Sequence, residues 1–257
     1  MVANGKREFE KIRKKEAPSQ ILLLKKGYEH LRPALLDEEA HINWRNVPGM
    51  KRFAGKSDVI SIPLKDEKFR LLLKHYHHGG IFRFFSHDRF LANNLRGLED
   101  FEKHQALSKM GINVPEVIGA HVFKKGDTYR ARLYMKEMGN SETLKEFLTP
   151  GRHTLKERKE AMIKVGEEIR KMHDNGVQHN HLTPNNILIA TRALGFKPYI
   201  IDVEYMKMKK ELTANETAKE LKQFERKMRK HIDMSPMIMG MLMEKFFSAY
   251  RRAEKTK

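Results

Sequence analysis

The 257-residue chain has no cysteine, which excludes a disulfide framework, a thiolate zinc site, an iron–sulfur cluster and a cysteine nucleophile. Long hydrophobic runs are missing too. The longest, residues 21–24 and 237–243 (the latter broken by Gly240), fall far short of a membrane span. The first twenty residues are charged where a secretory leader would be apolar, so the sequence reads as an intracellular chain without a membrane-integral segment. Acidic residues are scarce: 33 Asp and Glu face 51 Lys and Arg, giving a net charge of +18 and a pI near 9.9. What is present, 40% hydrophobic and 33% charged residues, describes a folded protein of one or two domains. A chain of this length buries roughly 70% of its unfolded surface, so it has a core without needing covalent staples.

The positive balance calls for an acidic partner, and nucleic acid, an anionic membrane surface or a phosphorylated substrate each satisfies the sign. Residues 205–257 hold 14 Lys and Arg against 7 Asp and Glu, so the excess is enriched toward the C-terminus without being confined there. No RNA-module fingerprint stands in the sequence, which disfavours sequence-specific RNA reading but not backbone binding.

The first half reads as strand-rich. Residues 58–64 and 69–78 are short β-compatible runs around a Lys65-Asp66-Glu67 turn, and residues 114–123 and 128–137 flank a hairpin signal at Gly126-Asp127. Between them the pattern predicts a helix over 88–110, stopped by Gly111. After Gly139-Asn140 helices take over. Thr154-x-x-Glu157 is a capping box leading into Met162, Val165, Ile169 and Met172 on one face, with Gly176 as the stop. Thr213-x-x-Glu216 is a second box, and a last helix starts at Ser235-Pro236. Short apolar strands are predicted at 187–190 and 199–203. The expected architecture is α+β, with a β-rich N-lobe over 1–139, including a basic N-terminal extension, and a helical C-lobe over 140–257.

Two segments carry chemistry. The polar loop His179-Asn180-His181-Leu182-Thr183-Pro184-Asn185-Asn186 and the strand end Ile200-Ile201-Asp202-Val203-Glu204 have the spacing of the catalytic loop and metal-binding Asp of protein-kinase-like phosphotransferases. Mg²⁺ on nucleotide phosphates prefers hard oxygens, which makes the Asn186 amide and the Asp202 carboxylate the candidate ligands. Such sites also use a strand Lys on the phosphates, held by a carboxylate of the following helix. Lys74, closing the run Leu71-Leu72-Leu73, fits the first role, and Glu99, Asp100 and Glu102 are available for the second.

The chain resembles the bacterial Kdo kinase and lipopolysaccharide core kinase family. The resemblance lies in Leu73-Lys74-His75-Tyr76-His77-His78-Gly79-Gly80, in Asp88-Arg89-Phe90 with Asp100-Phe101, in Gly111-Ile112-Asn113-Val114-Pro115 followed by Tyr129-Arg130-Ala131, and in the two loops above. It covers about residues 70–205 and implies a two-lobed protein-kinase-like fold. It also implies ATP-dependent, Mg²⁺-assisted phosphorylation of a sugar hydroxyl of the Kdo–lipid A inner core by a protein peripheral to the cytoplasmic face of the inner membrane. On that resemblance Lys74, Gly55 and Glu137 bind nucleotide, Asp100 aligns with the helix carboxylate that holds Lys74, and His181 sits by the acceptor hydroxyl. The partners implied are an anionic glycolipid and an acidic membrane surface.

Three positions depart from the family. His181 stands where the family has its catalytic Asp, Asp100 where it has Glu, and Gly49 and Gly55 flank a covering loop without a repeated-glycine fingerprint. A neutral imidazole can accept a proton, and a general base contributes only about 10²–10⁴-fold, so a His181 enzyme and a nucleotide-binding pseudokinase scaffold are both readings of this loop. A small kinase acting on an RNA-associated protein is a third. Other clusters read as structural. His75, His77 and His78 lack a second ligand pair at a zinc-like spacing. Met237, Met239, Met241 and Met243 suit a helix core, and His173 and His179 suit orientation of the loop. The segment 246–252 reads equally as a core helix end and as a membrane-surface segment.

Overall fold

The structure, a computed structural model, describes residues 9–14, 20–36, 47–53, 58–64, 67–76, 90–91, 95–125, 128–193 and 195–252. The chain divides into two compact units, Met1–Gln105 with Glu116–Glu137, and Ala106–Pro115 with Met138–Lys257. The sequence places the break at 139/140. The chain makes its last passage at Glu137/Met138, and Ala106–Pro115 goes with the helical unit because Leu107, Ile112 and Val114 enter its core.

The first unit holds strands β1 (Phe9–Lys14), β2 (Gln20–Lys25), β3 (Lys51–Phe53), β4 (Asp58–Pro63), β5 (Arg70–His75), β6 (Phe90–Leu91), β7 (Val117–Lys125) and β8 (Thr128–Lys136), with the short helix α1 (Arg32–Leu36) and most of α2 (Arg96–Lys109). The strands form one antiparallel sheet in the order β1-β2-β7-β8-β5-β4-β3, with β6 also on β8. Alternate residues of single strands enter two different cores, which is why several strands read as continuous apolar runs. Leu22, Leu24, Leu71, Leu73, Ile118 and Tyr134 pack with Leu31 and Leu35 on one face. Leu23, Leu72, Ala120, Val122, Leu133 and Met135 pack with Tyr76 and Phe101 on the other.

The helix predicted over 88–110 starts later. Phe90 and Leu91 pair with Tyr129 and Thr128 as β6, and α2 begins at Arg96, whose backbone N–H donates to the Tyr129 hydroxyl at 3.1 Å. The apolar residues that lengthen the helical pattern are drawn into the sheet.

The second unit holds β9 (Ser141–Thr143), α3 (Leu144–Leu148), α4 (Leu155–Asp174), β10 (Val177–His179), β11 (Ile187–Arg192), β12 (Gly195–Ile200), β13 (Met206–Met208), α5 (Ala214–His231) and α6 (Pro236–Arg252). Both predicted capping boxes form, at Thr154/Glu157 and Thr213/Glu216, and Thr143/Glu146 makes a further one on α3. Met162, Val165, Ile169 and Met172 of α4 meet Phe224 and Met228 of α5 and Met239, Leu242, Met243 and Phe246 of α6 in one core. One expectation for the last helix changes. Met237 is 73% exposed and only Met239 and Met243 of the methionine row are buried. Phe246 and Tyr250 are core residues, so the packed-helix-end reading of segment 246–252 holds, with Arg251 and Arg252 exposed at its end. The strand predicted over 199–203 stops at Ile200, because Asp202 takes a left-handed conformation at φ 58°, ψ 48°.

Candidate active site

In the second unit the polar loop is built between two β pairings. β10 pairs with β13, setting His179 against Met206, and β11 pairs with β12, setting Ile187 against Ile200. His179 is fully buried and fastens both segments. Its Nε2–H donates to the Ile201 carbonyl at 2.9 Å, its Nδ1 accepts from the His181 N–H at 3.2 Å, and its own N–H donates to Glu220 at 2.9 Å. Because a carbonyl only accepts, these bonds fix one neutral tautomer. Burial pushes the imidazole below the usual histidine range. His173 is buried as well, 2.8 Å from the Tyr250 hydroxyl through Nδ1.

Asn186 closes a short 3₁₀ turn, Pro184–Asn186. Its carbonyl accepts from the Ile201 N–H at 3.0 Å, which brings the backbone leading into Asp202 alongside it. Its amide Nδ2 donates to the His181 carbonyl at 2.9 Å and lies 3.3 Å from His181 Nδ1, which accepts. A nitrogen held on a carbonyl fixes the amide orientation, so Oδ1 is the outward acceptor. Asp202 follows with its left-handed backbone, uncommon for a residue other than glycine, before the turn Val203–Tyr205. The His181 ring lies against Tyr205, centroids 5.1 Å apart.

In the first unit, Lys74 is 6% exposed on the β5 face shared with Leu72 and Tyr76, the face that α2 covers. Of the three candidate carboxylates on α2, Asp100 is buried while Glu99 and Glu102 are exposed. Tyr76 touches both partners: its hydroxyl donates to Asp100 at 2.5 Å, and Lys74 Nζ lies 5.3 Å from its ring centroid. The Glu137 carboxylate receives Arg70 Nε at 2.8 Å and the Ser61 hydroxyl, and its N–H donates to the Arg70 carbonyl at 2.9 Å. Arg70 also donates to the Gly49 carbonyl at 2.7 Å, tying the turn before β3 to the end of β8. Gly55, His77, His78, Gly79, Gly80, Asp88 and Arg89 lie outside the described residues.

Residues 60–250 match the lipopolysaccharide kinase (Kdo/WaaP) family. The chain belongs to that family. A 3-deoxy-D-manno-octulosonic acid kinase of Vibrio vulnificus (strain YJ016) is 31% identical over 159 residues, covering 61% of this chain and 64% of the relative. The enzyme of that name from Vibrio parahaemolyticus serotype O3:K6 is 35% identical over 136 residues, 51% of this chain and 54% of its own length. The match thus spans less than two thirds of these curated relatives. Among solved structures, WaaP in complex with acyl carrier protein superposes with a TM-score of 0.57 at 15% identity, over 91% of this chain and 98% of that one. The fold is the two-lobed, α+β, protein-kinase-like fold of that Kdo/WaaP kinase.

For a Kdo/WaaP family member the oxygens present suit Mg²⁺. An amide oxygen and a carboxylate on neighbouring backbone segments are hard donors. Among the described residues no three His, Asp or Glu side chains gather as a metal group, so phosphate oxygens and water would complete the coordination. Tyr76, Arg70 and Tyr205 are the site neighbours that the spacing of motifs did not disclose. Only Tyr76 carried a signal, standing two residues beyond Lys74 and therefore on its face of the strand.

Proposed function

We propose that the protein transfers the γ-phosphoryl group of ATP to a hydroxyl of the Kdo-bearing lipopolysaccharide inner core. The observation that supports the reading is the hydrogen bond from Ile201 N–H to the Asn186 carbonyl, which runs the backbone just before Asp202 alongside Asn186, the two residues read here as the oxygen donors. Mg²⁺ held there would neutralise phosphate charge during transfer. Lys74 orients the phosphates, and Asp100, steadied by Tyr76, holds Lys74 in place. The acceptor oxygen forms a bond to the γ-phosphorus as the bond to the β,γ-bridging oxygen breaks and ADP departs. The hydroxyl proton passes to His181 or to water. The glycolipid acceptor places the protein at an anionic membrane surface, and a carrier protein, as in the WaaP complex, is the alternative partner.

One observation favours a second reading. The His181 Nδ1 lone pair is directed at the Asn186 amide, which competes with an acceptor hydroxyl for it and suits a nucleotide-binding protein that transfers slowly or not at all. Phosphotransfer from labelled ATP to Kdo–lipid A tests both. The expected result is Mg²⁺-dependent transfer in the parent and a faster reaction in His181→Asp. With the imidazole as base, His181→Ala should lose roughly 10²-fold. Asp202→Ala should remain folded and lose the Mg²⁺-dependent tightening of ATP binding seen by calorimetry. Equal ATP affinity in parent and Asp202→Ala, with and without Mg²⁺, removes the site assignment. Nucleotide binding without transfer in either the parent or His181→Asp leaves the pseudokinase.

A further inference from the structure

Helix α5 is the most strongly two-faced element of the second unit. Its buried side carries Glu220, Phe224 and Met228. At about 100° per residue, Lys219, Lys222, Arg226 and Lys230 fall within an arc of roughly 80°, centred roughly 160° from that side. All four are exposed. Along the axis they span about 16 Å at 1.5 Å per residue.

The acids of the same helix are all engaged elsewhere. Glu216 closes the N-terminal capping box and pairs with Lys209, which helps to hold its carboxyl down at about 2. Glu220 points inward to the His179 N–H. Glu225 pairs with Arg229 at 2.8 Å. Among the described residues, Lys219, Lys222, Arg226 and Lys230 therefore form an uncompensated cationic row. Three of them, with Gln223, Glu225 and Arg229, line a groove of about 470 Å³.

We propose that this outer face of α5 is the surface by which the protein docks on anionic phospholipid headgroups. Protein interfaces concentrate their binding energy on a few desolvated anchors, most often Trp, Tyr or Arg packed in a pocket. Here the cations stand in an exposed row, with no aromatic among the described residues that line the groove. None of the large exposed hydrophobics among the described residues, which are Phe53, Met110, Leu155, Met208 and Met237, lies on this helix. A row of like charges without an anchor matches a laterally fluid sheet of negative headgroups, which presents charge at any spacing the row requires. The inference rests on the proposed function only for the protein's place of work, because docking is read without any phosphotransfer.

The test is flotation with vesicles of phosphatidylglycerol and phosphatidylcholine, compared with phosphatidylcholine alone. The parent should float only with the acidic vesicles and should be released as salt rises. Replacing Lys219, Lys222, Arg226 and Lys230 together by Gln should weaken partitioning roughly a hundredfold or more, at about tenfold for each 1.4 kcal/mol and about 1 kcal/mol per cation. Replacing the three lysines by Arg should retain binding. ATP affinity should be unchanged in both variants, so a failure here is distinct from a failure of the phosphotransfer reading. Because the chain has no cysteine, Gln223→Cys accepts a single fluorophore, which should be quenched by brominated acidic lipid. Full flotation of the four-Gln variant, or an unquenched label on a floating parent, overturns the assignment. A parent that ignores acidic vesicles but binds RNA or a carrier protein overturns it too.

Discussion

His179 has the most consequential surroundings of any single residue in the second unit. It joins the loop holding His181 and Asn186 to the strand end before Asp202, and it does so as a neutral ring. Its folded pKa lies below the unfolded value of about 6.5, so the unfolded chain takes up the proton first as pH falls. The stabilising contribution is therefore complete above about pH 6.5 and is lost as pH drops toward the folded value. Urea midpoints measured between about pH 7 and pH 5 should fall more steeply in the parent than in His179→Gln. Identical slopes would sink this account. The types and spacing of His179, His181, Asn186 and Asp202 were legible in the sequence because the chemistry constrains both. The orientation of the Asn186 amide was not, since it is set by the His181 carbonyl, and a carbonyl's direction has no sequence signature.

At the scale of elements, the helix starts of the second unit were the most readable features, because a Thr-x-x-Glu box is complete within four residues. The box at Thr143 carries the same signal, but its helix is too short to show a periodic face. Helix packing was less readable. Gly166, in the middle of α4, looks like a weak point in a helical pattern, yet a Cβ there would lie 2.5 Å from the Phe246 carbonyl and 3.2 Å from Ala249 Cβ. The glycine lets α6 cross α4 at close range. Gly166→Ala, which improves intrinsic helix propensity, should destabilise the protein by about 1–3 kcal/mol because the crossing is overpacked. Chemical denaturation should report a lower midpoint, and a rise in midpoint would mean that α6 can move aside without cost.

For the whole molecule, a charge of +18 favours an acidic partner and says nothing of where it would bind. The basic excess became informative only once helix periodicity separated the paired cations of α5 from the unpaired ones. The β-rich unit was likewise legible as a class, whereas its sheet order depends on pairings distant in sequence. If the protein binds Mg²⁺·ATP, the ligand should stabilise it against unfolding. At a ligand concentration of a hundred times Kd the stabilisation is about 2.7 kcal/mol. For a chain of this size that corresponds to a rise in Tm of roughly 5–10 °C. Scanning calorimetry with ATP, with and without Mg²⁺, checks it, and a Tm indifferent to Mg²⁺ would contradict Mg²⁺-assisted nucleotide binding.

The sheet of the first unit also sets an order of assembly. β2 meets β1 through a short connection, but its other edge pairs Gln20 with Phe123 and Leu24 with Gly119. In a chain synthesised from its N-terminus, Leu22, Leu23 and Leu24 are complete long before β7 leaves the ribosome. During that interval they offer an apolar strand edge to any other strand, which is a recognised route to aggregation. The capping boxes of the second unit have no such wait, since each closes on itself. The birth of this protein is thus most exposed at β2, and a chaperone that shields the nascent segment carrying residues 22–24 should raise soluble yield more than one acting on the finished chain.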